Sequence, residues 1–255
     1  MIETLVSEKN PLLKEVRRAA GRGSLTEDGY AVAEGFHLLE EALASRVEIG
    51  AVIVSEGAAD QAAVRIVPRT SGPRVVSVAD AVFARLTTTE QPQGVITLVR
   101  PRTWTMEDVF HSDTLAVVLD GVQDPGNAGA MIRSAEAFGA TGVVFLKGSV
   151  NPYNPKCLRG SAGSVFRVPI VTGVEADAVP GATIYAAMPH ADRTLAEADF
   201  SKPCAIVIGG EARGVSAALA ARAVAVRIPT APVDSLNAAV ACGVLLYEAR
   251  RQRSR

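Results

Sequence analysis

The chain has 255 residues, and its 26 basic and 27 acidic side chains give a formal net charge of −1. At roughly 100–200 residues per domain this length makes one large domain or two small ones. A hydrophobic share of 48% against 21% charged excludes wholesale disorder, and near-neutrality excludes a surface that is uniformly attractive to polyanions.

The apolar stretch from Ala238 to Tyr247 is about half of what a membrane-spanning helix needs. Met1-Ile2-Glu3-Thr4 does not open a signal peptide, so the expectation is a cytoplasmic protein with no membrane partner. Cys157, Cys204 and Cys242 are odd in number and widely spaced, with no C-x-x-C pair, which supports neither a disulfide framework nor a zinc knuckle. His37, His111 and His190 lie more than seventy positions apart, and none sits in H-E-x-x-H, so no metal site is expected.

In chain order, Asn10-Pro11 opens a helix with Leu12, Leu13 and Val16 on one side and Lys14, Arg17 and Arg18 on the other. A second helix is predicted from Gly35 to Ala44. Ala51 to Val54 is a β-branched run that reads as a buried parallel strand. Val64 to Val67 and Val75 to Val78 read as further strands, Ala79 to Leu86 as a short helix, and Gly94 to Val99 as a closing strand. Pro101 to Asp113 has no periodic pattern and reads as a linker between domains at 1–105 and 112–255. Beyond it, strands at Leu115 to Leu119, Gly142 to Leu146, Thr183 to Ala187, Cys204 to Ile208 and Val224 to Ile228 alternate with helices. The helices are predicted at Asn127 to Phe138, Lys156 to Gly163, Ser216 to Ala221 and Ser235 to Arg251. Such alternation implies an α/β domain with a mostly parallel sheet and helices on both faces.

Three segments follow the C-terminal ends of predicted strands, where open α/β sheets place their ligands. The first runs from Asp120 to Gly129 into a helix that carries Arg133; Pro125-Gly126 makes the turn and Asn127 is a candidate cap. The second, Ile208 to Ser216, has three glycines in six positions around Glu211, suited to close backbone approach to a flat ligand. It lacks the Lys-Ser/Thr ending of a phosphate loop, and no G-x-G-x-x-G or G-x-S-x-G occurs anywhere. Dinucleotide-dependent dehydrogenase and α/β-hydrolase readings therefore lose their fingerprints. The third runs from Val226 to Val240, where Pro229 and Pro232 stop the strand and Asp234 or Ser235 offers an N-cap.

Together, N-x-G-x-x-x-R, G-x-E-x-x-G and I-P-x-x-x-x-x-S-L-N-x-A-V, in this order over about Leu115 to Arg251, resemble the SpoU (TrmH-like) family of RNA 2′-O-ribose methyltransferases. The front half, notably Ala33 to Leu39 and Gln93 to Ile96, resembles that family's small ribosomal-protein-like RNA-binding domain. The resemblance implies a catalytic domain with a deep trefoil knot and a homodimer joined through it. It also implies S-adenosylmethionine as methyl donor without a metal, and a structured RNA substrate. Ribosomal RNA is the preferred substrate, transfer RNA the alternative, and an inactive RNA-binding module a further possibility. By the same resemblance Arg133 meets the reacting hydroxyl, Asn127, Glu211, Ser235 and Asn237 support it, and the cofactor rests near Ala187, Gly209, Gly210, Ile228 and Leu236. The reaction implied is in-line attack of a ribose 2′-hydroxyl on a sulfonium methyl, accelerated chiefly by alignment. Where the family has I-P-Met, G-N-E-G and N-V-S-V, this chain has Ile228-Pro229-Thr230, Gly209-Gly210-Glu211-Ala212 and Asn237-Ala238-Ala239-Val240; the differences fall on pocket lining.

The net charge conceals opposed segments. Residues 9–22 hold five cations against Glu15 alone, residues 27–60 hold eight acids against Arg46, and residues 250–255 add four arginines. Lys14, Arg17 and Arg18 on the first helix are thus candidate phosphate contacts; Lys156 and Arg159, before Gly160 to Gly163, are further candidates, with a solvated surface as the equal alternative.

Overall fold

Asn10 starts the first helix as its sequence suggests. Its side chain accepts the N–H of Leu12 at 2.9 Å, Pro11 occupies the first turn, and Gly23 ends the helix at φ 61°. The structure, a computed structural model, describes residues 2–5, 7, 9–66, 73–181, 183–231 and 235–254. In chain order the elements are β1 (Ile2–Thr4), α1 (Pro11–Arg22), β2 (Ala31–Glu34), α2 (Phe36–Ala44), β3 (Ile49–Ser55), α3 (Ala59–Ile66), β4 (Arg74–Val78), α4 (Asp80–Phe83) and β5 (Val95–Val99). There follow α5 (Met106–Val109), β6 (Leu115–Asp120), α6 (Pro125–Phe138), β7 (Gly142–Leu146), α7 (Pro155–Ser161), β8 (Ile170–Val174), β9 (Thr183–Ala187), β10 (Cys204–Gly209), α8 (Ala217–Ala220), β11 (Val224–Val226) and α9 (Ala238–Arg253). They form two compact units, Met1–Arg102 with Tyr153–Phe166, and Thr103–Pro152 with Arg167–Arg255.

In the first unit the strand order is β1-β4-β3-β5-β2. β3 pairs in parallel with β4 but antiparallel with β5, so the run Ala51 to Val54, expected to be parallel, is parallel on one side only. Its alternation fills two cores. Ile53 meets Leu13, Val16 and Ala19 of α1, while Val52 and Val54 meet Phe36 and Leu39 of α2. The strand expected at Val64 to Val67 is instead the end of helix α3, with Val67 outside the described residues. The good helix formers Ala59, Gln61, Ala62 and Ala63 precede a short β-branched run that lacks the buried face a strand would need. Val64 is 78% exposed.

The second unit is a six-stranded sheet in the order β11-β9-β10-β6-β7-β8, with every pair parallel. Its strands are apolar on both faces, as a covered parallel sheet requires. Ala116, Val118, Val144, Ala205 and Val207 share a core with Val109 of α5 and Leu219 of α8. The alternate residues Leu115, Val117, Leu119 and Ile206 are equally buried, and α9 contacts β10 as α6 contacts β7. Two elements of this unit escaped the sequence reading, as β1 and β2 did in the first unit. β8 is one, and α5 is the other. The latter begins with a reciprocal capping box between Thr105 and Asp108, inside the stretch read as patternless.

The last turn of α9 is clamped. Arg253 donates to the carbonyls of Phe200 (2.8 Å), Thr114 (2.7 Å) and Lys202 (2.8 Å), and to the backbone and carboxylate of Asp113. Gln252 adds bonds to the backbone of Ala198 and Phe200. The far end of α9 is thereby fixed to the start of β6 and β10. Arg253→Ala is expected to destabilise the protein by about 2–4 kcal/mol, because the part-buried carbonyls of Thr114 and Phe200 lose a charged donor. Urea unfolding followed by circular dichroism measures this, and a change below about 0.5 kcal/mol would show the clamp to be idle.

Candidate active site

β6, β9, β10 and β11 all end on the same side of the sheet, and their parallel register sets the chain after each of them side by side. After β10 the chain turns at once. The N–H of Gly210 bonds to the carbonyl of Asp120 at 2.9 Å, the N–H of Gly214 bonds back to the carbonyl of Gly210 at 2.8 Å, and the carboxylate of Asp120 accepts the N–H of Ser216 at 2.6 Å. This tight loop has no room for side chains at its start. A Cβ on Gly209 would lie 2.2 Å from the carbonyl carbon of Gly214, and one on Gly210 would lie 2.3 Å from the carbonyl oxygen of Gly121.

Between this loop, residues 187–190 after β9, Ile228 and Thr230, and residues 235–238 with Ala241 lies a cavity of about 410 Å³, within the size range of small-molecule sites. Ala187, Gly209, Gly210, Ile228 and Leu236, the five residues expected at the cofactor, all line it, as do Glu211, Ser235 and Asn237. Leu236 is half-buried, whereas Ser235 and Asn237 on either side are exposed. The sequence reading did not anticipate Met188, Pro189 and His190, which form part of the wall. The only signal available was their position just past the end of a predicted strand.

The caps differ from the expected ones, and the difference matters to the site. α6 is capped by Asp124, whose side chain accepts the N–H of Asn127 at 2.7 Å. Asn127 itself is therefore released from capping. Its amide donates to Glu211 Oε1 at 2.7 Å and its Oδ1 accepts from the amide of Asn237 at 3.1 Å. α9 is capped by Asn237, whose Oδ1 accepts the N–H groups of Ala239 (2.9 Å) and Val240 (3.2 Å). Ser235 precedes the helix, and Asp234 lies outside the described residues. The free N–H groups at the start of α9 thus polarise Asn237, then Asn127, then Glu211, each amide presenting its N–H toward the carboxylate.

Arg133 does not line the cavity. It stands exposed on α6, and among the described residues it has neither an ion pair nor a hydrogen bond. The RNA-contact candidates divide as well. Lys14 and Arg17 are exposed on α1. Arg18 is paired with Glu15 at 2.5 Å, and this bond is the main reason the Glu15 carboxyl is held down to about 2. Arg159 donates to Thr88 Oγ1 at 3.1 Å and lies 3.4 Å from buried Glu34, so its charge is already committed within the first unit. Lys156 is exposed on α7. Among the described residues no cluster of metal-ligating side chains occurs, and no helix is long and apolar enough to cross a membrane.

A parallel α/β sheet with a glycine-lined cavity and an amide-to-carboxylate chain at its edge defines the class of molecule, and comparison with known proteins gives the family. Residues 114–247 match the SpoU rRNA Methylase family, and residues 10–97 match the MRM3-like substrate binding domain. An uncharacterized tRNA/rRNA methyltransferase of Synechocystis sp. is 35% identical over 99% of this chain and 95% of its own. The 23S rRNA (guanosine(2553)-2′-O)-methyltransferase RlmP of Bacillus subtilis is 28% identical over 98% of this chain and all of its own length. The crystal structure of an AdoMet-bound rRNA methyltransferase from Sinorhizobium meliloti superposes with a TM-score of 0.83 at 31% identity, covering 98% of each chain. The chain belongs to the SpoU rRNA methylase family. It is an S-adenosylmethionine-dependent RNA methyltransferase.

Proposed function

We propose that this enzyme methylates a ribose 2′-hydroxyl of ribosomal RNA, in the cytoplasm, as a homodimer whose catalytic unit carries a trefoil knot. The observation that carries the reaction is the hydrogen-bonded chain Asn237–Asn127–Glu211 at the wall of the cavity. The cavity suits the methyl donor. It offers main-chain groups at Gly209 and Gly210, apolar walls at Ile208, Ile228 and Leu236, and polar groups at Glu211, Ser235 and Asn237. Bound there, S-adenosylmethionine supplies an electrophilic methyl group on sulfur.

The chain's own residues supply the rest. Ile208, Ile228 and Leu236 exclude water, and the Asn127–Asn237 relay fixes the orientation of Glu211 at the cavity wall. Arg133 clamps the RNA phosphate beside the target and stabilises the oxygen as it loses its proton. A guanidinium stays protonated in proteins, so Arg133 is the stabiliser and another acceptor takes the proton. Lys14 and Arg17 on the exposed face of α1 bind the RNA backbone, with Lys156 as a further contact.

Ribosomal RNA is favoured over transfer RNA by RlmP, a relative named for 23S rRNA that aligns along its whole length, and by the match of the front half to a substrate-binding domain. The knot is supported by the strand order, in which β11 lies beyond β9 while Ile228, Thr230 and residues 235–238 line the cavity beside β10.

The homodimer is supported by α9. Val240 and Tyr247 are 53% and 59% exposed and stand seven residues apart on one helix face with Gly243 and Val244 between them. Tyr247 also meets Phe138 of α6 edge-on at 6.0 Å, which extends the apolar surface. Tyr247→Glu is expected to convert a dimer to a monomer in light scattering after gel filtration, because a carboxylate would be desolvated in the interface. A monomeric wild type would refute the dimer.

Titration calorimetry with S-adenosylmethionine, followed by transfer of tritiated methyl to ribosomal and transfer RNA, tests the function. Binding with label in ribosomal RNA is expected. Label confined to transfer RNA would move the substrate, and binding without transfer to any RNA would leave only a binding module.

A further inference from the structure

The first unit holds an open recess of about 380 Å³, lined by Phe36, His37, Glu40, Gln61, Arg65 and Gln93. Its walls are fixed in place. Arg65 is held by three contacts: Glu40 at 2.6 Å, the carbonyl of Gln61 at 3.1 Å, and the ring of Phe36, 4.6 Å from guanidinium to centroid. Gln93 Oε1 accepts the N–H of Phe36 at 2.9 Å. Gly35 permits that approach, since it sits at φ 104° and a Cβ there would come within 3.1 Å of the same oxygen. The loop that carries Gln93 is anchored at its other end too. Buried Glu34 accepts from the hydroxyls of Thr87 and Thr89 and from the N–H and hydroxyl of Thr88. The sequence Glu34-Gly35-Phe36 thus holds both ends of residues 87–93.

We propose that this recess receives a single unstacked nucleobase of the RNA substrate, an inference that rests on the reading of the chain as an RNA methyltransferase. Charge argues for a base and against a phosphate. Glu40 neutralises Arg65, so the recess offers no free positive charge, and its remaining groups are the amides of Gln61 and Gln93 and the imidazole of His37. Among the described residues the side chains of His37 and Gln61 have no hydrogen-bond partner, and both are exposed. Amide edges of this kind match the donor and acceptor edges of a base, and an imidazole offers a stacking plane. Recognition by edges and stacking in loops and unpaired segments is how proteins read RNA sequence, whereas phosphate contacts carry affinity and salt dependence. The first unit then divides its work. Lys14 and Arg17 lie on α1, across the sheet from the recess, so backbone contact and base selection fall on separate faces.

The test uses the full-length protein and short unstructured oligoribonucleotides, each of a single base type, with Kd measured by fluorescence anisotropy over a range of salt. The wild type is expected to prefer one base type by about tenfold. His37→Ala/Gln61→Ala, which removes no bond within the fold, should abolish that preference and raise Kd for the preferred oligomer about tenfold, with the salt slope unchanged. Gln93→Glu keeps the acceptor for Phe36 and replaces the amide donor, so it should change which base is preferred. Arg17→Glu, across the sheet from the recess, should leave the base preference in place. Equal wild-type affinity for all base types, no binding above that of a non-specific competitor, or a preference that survives the double variant would each overturn the proposal. If ribosomal RNA is methylated while these variants bind like the wild type, only the recess falls; if no RNA is bound or methylated, the functional reading falls with it.

Discussion

Arg133→Ala is expected to lower kcat for methyl transfer by two to three orders of magnitude, with the Kd for S-adenosylmethionine unchanged. The split follows from position. Arg133 stands outside the cavity wall and is exposed on α6, so its removal takes nothing from the cofactor. In the role proposed for Arg133, the loss falls on the attacking oxygen, which gains negative charge as its proton departs, and removal of one preorganised donor from such an atom costs roughly 10²–10³ in rate. Because Arg133 has no internal partner among the described residues, its substitution leaves no buried group stranded, and thermal stability should be unmoved. Arg133→Lys keeps the charge but replaces a planar fork by a single ammonium. It is expected to restore less than about a tenth of the lost activity. Single-turnover methyl transfer on ribosomal RNA measures both variants, and near-normal turnover by Arg133→Lys would make the bidentate role untenable.

Gly209→Ala is the second large effect, and it acts on the other substrate. Here the added methyl meets only backbone. It would lie 2.2 Å from the carbonyl carbon of Gly214 and 2.4 Å from both its oxygen and the nitrogen of Val215. The loop cannot yield cheaply, because Asp120 pins it through Gly210 and Ser216. Displacing it moves Glu211 away from Asn127 and opens the cavity wall. The expected result is a loss of S-adenosylmethionine affinity of about a hundredfold or more, with destabilisation of about 1–3 kcal/mol from overpacking. Gly21→Ala in α1 is the matching control, since its added methyl meets nothing within 4 Å and replaces glycine in a helix interior, which should stabilise by a few tenths to 1 kcal/mol. Calorimetry and thermal unfolding on the two variants separate the site-specific effect from a general intolerance of alanine.

Much of the catalytic unit was legible in its sequence because its elements are long apolar runs punctuated by glycine and proline. β6, β7, β9 and β10 stand within a residue of their expected limits. β11 ends at Val226 and not at Ile228, which becomes part of the cavity wall. Legibility failed where two local signals competed. Asp124 and Asn127 at the start of α6, and Asp234, Ser235 and Asn237 at the start of α9, could each serve as a cap, and composition alone does not say which ones do. The structure gives the cap of α6 to Asp124, freeing Asn127 for the site, and gives that of α9 to Asn237, which serves as cap and site residue at once. Short elements failed for a different reason. α3 and α5 have too few residues for periodicity to separate helix from strand or loop, and only the capping box at Thr105 carried information. Long-range pairing was beyond reach altogether. Nothing near Arg159 in sequence announces Glu34, 125 positions away, so the pairing of this candidate phosphate contact within the fold was not legible.

The central claim is that this enzyme methylates a ribose 2′-hydroxyl of ribosomal RNA, with Arg133 acting on the reacting oxygen. A nucleotide-resolution map of ribose methylation, in strains with the gene present, deleted and restored with Arg133→Ala, tests it most directly. The account predicts one ribosomal RNA ribose mark that disappears on deletion and does not return with the variant. An intact set of ribosomal RNA marks in the deletion strain, or the loss of a transfer RNA mark alone, would contradict it.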